Sequence, residues 1–354
     1  MITRKMTPRE RVLAAMNHEP TDRVPLDYWG VEEVTVKLMR HFEVNDKIGL
    51  ARAMDIDRIM VVSAPLKPGR KDTWNVEYKQ IPLPDGSGTY EEPVCFPIEK
   101  YETIDEIEAH YEWPTTDMFD YSTIRGQCEL IHAAGYPVEC GMIAITWFYT
   151  VIRGIEQMLL DFAGDEEMAE YVLFKINEFT RAHVNKMLEA ADGLVDITQV
   201  TDDLGTQSGL TISEAMIERY LGKYYDENIA LERSFGSKVF HHNDGAIMDL
   251  LPWLTKKGIQ VLNPVQWHLP GWDLKRVKNE FGHALCFHGG IDNQHVLPFG
   301  SPDDVRAEVR ACIDNLYSNK TGYILAPCHN IQAITPLENI LTMYGYAKEY
   351  GKGI

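Results

Sequence analysis

Short apolar runs of strand type recur along the chain between polar, helix-length stretches. Eight runs have strand length and β-branched or aromatic content: 24–29, 58–64, 136–142, 194–201, 238–244, 259–265, 284–290 and 323–328. Helix starts are marked between them. Thr7-Pro8-Arg9-Glu10 joins a capping box to a proline at the first helical position, and Thr335-Pro336-Leu337-Glu338 repeats the pattern. Thr211-Ile212-Ser213-Glu214 is a further box, and Ser301-Pro302-Asp303-Asp304 is a weaker relative. Two successive helices are predicted over 151–162 and 166–191. In the second half strand and helix alternate, with units beginning near 237, 259, 284 and 322, which predicts a parallel sheet. Eight strands in this rhythm predict a closed (β/α)8 TIM barrel with extra N-terminal helices, one α/β domain spanning 1–354. Residues 70–98 break the rhythm. Residues 74–78, the turn Pro84-Asp85-Gly86-Ser87-Gly88 and a return through Tyr90 read as a β-hairpin insertion near the barrel mouth, placed as a lid.

Polar and glycine-rich clusters fall at the C-terminal ends of most predicted strands. Among them are Asp27-Tyr28-Trp29-Gly30, Thr201-Asp202-Asp203-Leu204-Gly205, His242-Asn243-Asp244-Gly245, Asn263-Pro264-Val265-Gln266, His288-Gly289-Gly290-Ile291-Asp292 and Cys328-His329-Asn330. One such cluster is an ordinary turn. A whole series in phase predicts a site, because barrel enzymes build theirs at that face from several strand ends. His242 and Asp244 are two apart on a predicted strand and so leave the same face, and His329 ends the last one. Two imidazoles and a carboxylate suffice for a catalytic zinc with an open position, or for an open iron-type facial site. Without a metal they read as hydrogen-bonded pocket histidines, and Cys328 is the alternative soft ligand. Asp202 and Asp203, followed by Gln207, form a second acidic site suited to acid–base work if burial raises a pKa. Otherwise one caps a turn and the other is solvated. His288 and Asp292 flank a double glycine that lets backbone approach a ligand, and they join the catalytic candidates. Tyr28, Trp29, Gln207, Asn263, Gln266 and Asn330 are the candidate substrate contacts, with core aromatics as the alternative reading of Tyr28 and Trp29.

Charge narrows the partners. A formal net charge of −19 repels nucleic acid and anionic membrane surfaces. The six cysteines are scattered without a C-x-x-C, the start lacks an apolar leader, and no apolar run approaches the roughly 20 residues that span a bilayer. These features predict buried thiols in a reducing cytoplasm.

The opening TPRERVLAAMNHEPTDRVPLDYWG resembles the N-terminus of uroporphyrinogen decarboxylase-like proteins. VTDDLGTQSGL, HNDG, LNPVQ, FGHALCFHGGIDNQHVLPFGSPDDV and YILAPCHNIQAITPLENI resemble later parts of that family, so the likeness runs over essentially the whole chain. It implies the (β/α)8 barrel and one of two activities. One is decarboxylation of uroporphyrinogen without a cofactor; the other is methyl transfer to or from a corrinoid protein, usually with zinc. The decarboxylases carry an arginine-rich RQAGRYLPEYR-like segment where this chain reads DYWGVEEVTVKLMRHF. Eight substrate carboxylates call for such forks, and aspartates stand at the predicted mouth instead. The methyltransferases use a His-x-Cys pair and a late Cys, matched here by His242, Asp244 and His329, so both thiolates are replaced. The harder donor set suits an oxygen ligand, which implies a methoxy or alkoxy methyl donor. No D-x-H-x-x-G cobalamin signature occurs, so the resemblance implies a corrinoid carried by a separate partner protein. It also implies a homodimer. A metal-independent decarboxylase of a smaller acid and a small-molecule-binding barrel without turnover are the competing expectations.

Overall fold

The computed structural model describes residues 5–69, 72–82 and 89–352. Its strands, in chain order, are β1 (Met60–Val62), β2 (Glu77–Pro82), β3 (Thr89–Cys95), β4 (Val138–Ala144), β5 (Ile197–Thr201), β6 (Lys238–His242), β7 (Val261–Asn263), β8 (Cys286–Ile291) and β9 (Tyr323–Pro327). Seven of them form one curled parallel sheet in the order β1-β4-β5-β6-β7-β8-β9. Helices between the strands pack on its outer face. The alternation read from sequence thus gives the expected α/β architecture.

The first predicted strand does not join the sheet as a strand. Leu26 makes a single parallel bridge to Leu325 on β9. Toward β1, the Asp57 amide donates to the Leu26 carbonyl at 2.7 Å. The Ile59 amide, two residues on, donates instead to the Asp27 carboxylate at 2.9 Å. A side chain therefore replaces the carbonyl that a continuing ladder would supply. The hairpin insertion is present as antiparallel β2 and β3. It starts later than predicted because Trp74 is buried, its ring 4.8 Å from that of Phe148 and 5.2 Å from that of Phe179. The predicted turn 84–88 lies outside the described residues.

One end of the space inside the sheet is stoppered. The helix Pro8–Met16 starts at Thr7 with the full capping box. Its Val12, Ala15 and Met16 fall on one face by the i, i+3, i+4 rule and pack on Ile59, Ile197, Phe240, Val261, Cys286 and Ile324. Beside them, Arg11 of the same helix and Arg23 both reach the fully buried Asp57. Removing one cation would leave that carboxylate under-compensated, at a cost of roughly 3–5 kcal/mol for a broken buried pair.

Candidate functional site

Strand pleating lifts the chemistry directly off this floor. Two residues beyond Phe240, Val261 and Cys286 stand His242, Asn263 and His288, on the same inner face. They form a hydrogen-bonded line. His242 Nδ1 lies 2.6 Å from Asn263 Oδ1. Asn263 Nδ2 lies 2.7 Å from His288 Nδ1. His288 Nε2 lies 2.9 Å from Asp27 Oδ2, which also accepts from the Trp29 indole at 3.1 Å. Only one proton arrangement satisfies the line with neutral rings. The Asn263 amide nitrogen donates, so His288 Nδ1 accepts and its Nε2–H points to Asp27. The Asn263 oxygen accepts, so His242 carries its proton on Nδ1 and leaves Nε2 free. Asn263, His288 and Asp27 are all fully buried.

That free Nε2 faces the cluster singled out from the sequence. His242, Asp244 and His329 each offer one donor atom, and these atoms all lie within 4.8 Å of one another. His242 Nε2 is 4.0 Å from Asp244 Oδ2 and 3.9 Å from Asp203 Oδ1. The arrival of Asp244 differs from expectation. β6 ends at His242, so Asp244 stands in the turn beyond it rather than on a shared strand face. The turn is fixed by its neighbours: the Asp244 amide donates to Asp203 at 3.1 Å, and the Gly245 amide donates to Gln266 Oε1. Gly245, at φ +103°, presses on the loop that follows Asp203. A Cβ there would lie 2.5 Å from the Gly205 carbonyl carbon. Likewise β9 ends at Pro327, and His329 sits in the loop after it.

The donor set fits a cation. Asp244 Oδ1 is buried and has no hydrogen-bond partner among the described residues. Burial pushes the Asp244 carboxyl up, Asp203 adds to this, and the two imidazoles oppose it. Burial holds the His329 ring below the ordinary histidine value, with His242 adding to the effect. A positive charge between these groups would relieve the penalty on Asp244, and the neutral His329 ring that burial favours is the form that ligates. Two tetrahedral ligands about 2.0–2.2 Å from one ion stand about 3.3–3.6 Å apart, so these donors would close by up to about an ångström around zinc. Nitrogen and oxygen donors dominate, because the Cys328 thiol donates away from them to the Val265 carbonyl at 3.5 Å.

The remaining candidates separate. Asp203 joins the cluster, half-exposed. Its neighbour Asp202 points the other way into a closed network, accepting from the Thr146 amide and hydroxyl, the Trp147 amide and the Tyr225 hydroxyl. Burial lifts it to about 7 against those hydrogen bonds. Asp292 caps the Gln294 and His295 amides at 2.6 and 3.0 Å. Trp29 spreads over the inner layer, its ring 5.6 Å from that of His242 and 6.4 Å from that of His329. Tyr28 faces outward and is buried, its hydroxyl 3.0 Å from that of Thr35. Gln207 is exposed, and the Asn330 carbonyl accepts from Gln332 at 3.0 Å. Sequence reasoning quoted Asp27 at a strand end without giving it a task. Its signal was a carboxylate on an otherwise apolar run.

The model for uroporphyrinogen decarboxylase (URO-D) matches residues 134–350. That is more than half of the chain, and the chain belongs to this family. A methyltransferase from Methanosarcina mazei superposes with a TM-score of 0.70 at 18% identity, covering 98% of this chain and 99% of that one. It shares the fold across its full length. Weaker likenesses are a mutant xylanase A of P fluorescens subsp. cellulosa with xylopentaose (TM-score 0.41, 9% identity, 69% and 91% covered) and an IOLI protein with a zinc atom (TM-score 0.33, 13% identity, 66% and 93% covered). No curated protein matches the chain. Among the described residues no helix is long and apolar enough to cross a membrane.

Proposed function

We propose that this chain is a metal-dependent methyltransferase that moves a methyl group from a methoxy or alkoxy compound to a corrinoid carried on a separate protein. The observation that carries the reading is the convergence of His242, Asp244 and His329 at the end of the buried line from Asp27. Zinc is the first choice of metal, and bound there it would supply Lewis acidity to the ether oxygen. The chain's own residues do the rest. The hydrogen bond to Asn263 holds the His242 ring with Nε2 turned outward. Trp29 covers one side of the His242 and His329 rings. Asp203, half-exposed beside His242, accepts from the Asp244 amide and holds the turn that carries it, and the proton for the departing oxygen comes from solvent. The reaction balances as heterolysis of the carbon–oxygen bond, with the methyl group taken by cobalt(I) and a proton by the oxygen. In this reading residues 1–354 are one barrel domain with 24–30 as its eighth stave. The six free cysteines, only Cys95 of them exposed, suit a reducing cytoplasm.

Elemental analysis of protein purified without added metal tests the reading, with about one divalent ion per chain expected. His242→Ala and His329→Ala should lose the ion and the methylation of cob(I)alamin while keeping the fold. Protein that neither carries nor takes up a transition metal overturns the proposal. Carbon dioxide release from an acid without metal would establish decarboxylation instead.

A further inference from the structure

A cavity of about 910 Å³ opens beside β1, between the helices Lys47–Met54 and Ile124–Ala133. Small-molecule sites typically occupy roughly 300–1,000 Å³. Ile48, Met60 and Leu130 supply apolar walls, and Lys47, Arg52 and Arg58 supply three cations. Asp46 is the single acid among the lining residues, and its carboxylate accepts from the Gly49 amide at 2.7 Å. In a chain of net charge −19 this is a local inversion of sign.

Arg58 is the centre of the cavity's chemistry. Its guanidinium stacks 4.9 Å from the Tyr28 ring centroid. Its Nη1 is buried with no hydrogen-bond partner among the described residues. A buried donor left unmade costs on the order of 1–3 kcal/mol, and more when it is charged. Among the described residues no ion pair of Arg58 offsets this, unlike Arg11, Arg23 and Arg153, each of which reaches a buried carboxylate. The cavity also passes through the wall of the sheet. Trp29, Ile59 and Val61 line it from the inner side, and Val61 is 70% exposed there. The opening exists because Asp27 takes the Ile59 amide and ends the backbone pairing of 24–29 with β1. Trp29 is thus shared: it lines the cavity, and its ring neighbours His242 and His329.

We infer that this cavity binds a small organic carboxylate with a flat apolar body, its carboxylate held by Arg58. Guanidinium and carboxylate match as a two-pronged pair, and the apolar walls fit a ring rather than a bare ion. The site stands whether or not the histidine cluster holds a metal, since none of its groups is a ligand there.

Calorimetric titration of the whole protein with 2-naphthoate, its neutral amide and inorganic phosphate tests the inference. Naphthoate should bind at least about tenfold more tightly than the amide, a difference of about 1.4 kcal/mol. Arg58→Gln should remove that preference, Arg58→Lys should restore part of it, and Arg306→Gln, at another surface, should leave it intact. Binding should also change tryptophan emission in the native protein and do so less in Trp29→Phe. Equal affinity for acid and amide overturns the inference, and this comparison needs no variant to fold. So does the absence of heat with naphthoate, phosphate binding as tightly as naphthoate, or an unchanged preference in folded Arg58→Gln.

Discussion

Replacing Asn263 by leucine tests the link between the buried line and the histidine cluster. The side chain is nearly isosteric but neither accepts from His242 nor donates to His288, contacts of 2.6 and 2.7 Å. His288 Nδ1 then has no partner at a fully buried position, which costs about 1–3 kcal/mol of stability. His242 loses less, because it borders solvent at 16% exposure and water can replace the amide. Its ring, however, is freed to rotate and to change tautomer. Lost support of this kind typically weakens metal affinity about 10–100-fold, or roughly 1.4–2.7 kcal/mol. Two assays read the two parts. Urea unfolding of metal-free protein gives the stability term, and competition with a zinc chelator gives the affinity term. A third readout needs no metal: ring nitrogen chemical shifts should show the His242 proton on Nδ1 in the native protein and a mixture in Asn263→Leu. An Nε2–H tautomer in the native protein, or unchanged zinc affinity in a folded Asn263→Leu, would refute the orienting role.

Other perturbations follow from the same geometry. Gly245→Ala must push a Cβ against the backbone at Gly205 while adopting φ +103°, so it should cost about 1–3 kcal/mol and lower zinc affinity by displacing Asp244; unchanged urea midpoint and affinity would count against the tight turn. Glu232 is raised by burial to about 8, so its contribution is complete below pH 4.5 and lost as pH rises toward 8. Glu232→Gln should therefore gain stability relative to the native chain over that window, by on the order of 3–5 kcal/mol, and parallel urea-midpoint curves would exclude it. Cys328→Ser should leave metal content unchanged, because the thiol points to the Val265 carbonyl; loss of the ion on elemental analysis would make sulfur a ligand.

The strand pattern placed seven sheet strands well, because each is a short, mostly buried apolar run and their ends carry turn residues. It failed at 24–29, where Asp27 substitutes for a backbone acceptor, an exchange no hydrophobic pattern records. The predicted helix 151–162 breaks at Gly154, φ +82°, and the helix 166–191 matches its prediction. Two capping boxes moved. Ser213, not Thr211, caps the helix Glu214–Ser234, and at 335–338 the cap position falls on Pro336 with no side-chain cap. In the site, the proximity of His242, Asp244 and His329 was legible from strand ends alone. The separation of Asp202 from Asp203 was not, since adjacent residues leave a chain in opposite directions and only the packing of Tyr225 and Thr146 decides which is enclosed. The continuity from His242 to Asp27 was equally hidden, because it joins four segments far apart in sequence.

The helix Pro8–Met16 makes a cup of the curled sheet. With its base sealed by Val12, Ala15 and Met16, a reactant inside the sheet must come and go past the rim. A macromolecular methyl acceptor seated on that rim would shut in whatever lay beneath it. If the proposed methyl transfer takes place here, donor before acceptor, and acceptor off before spent donor, would be its order of traffic.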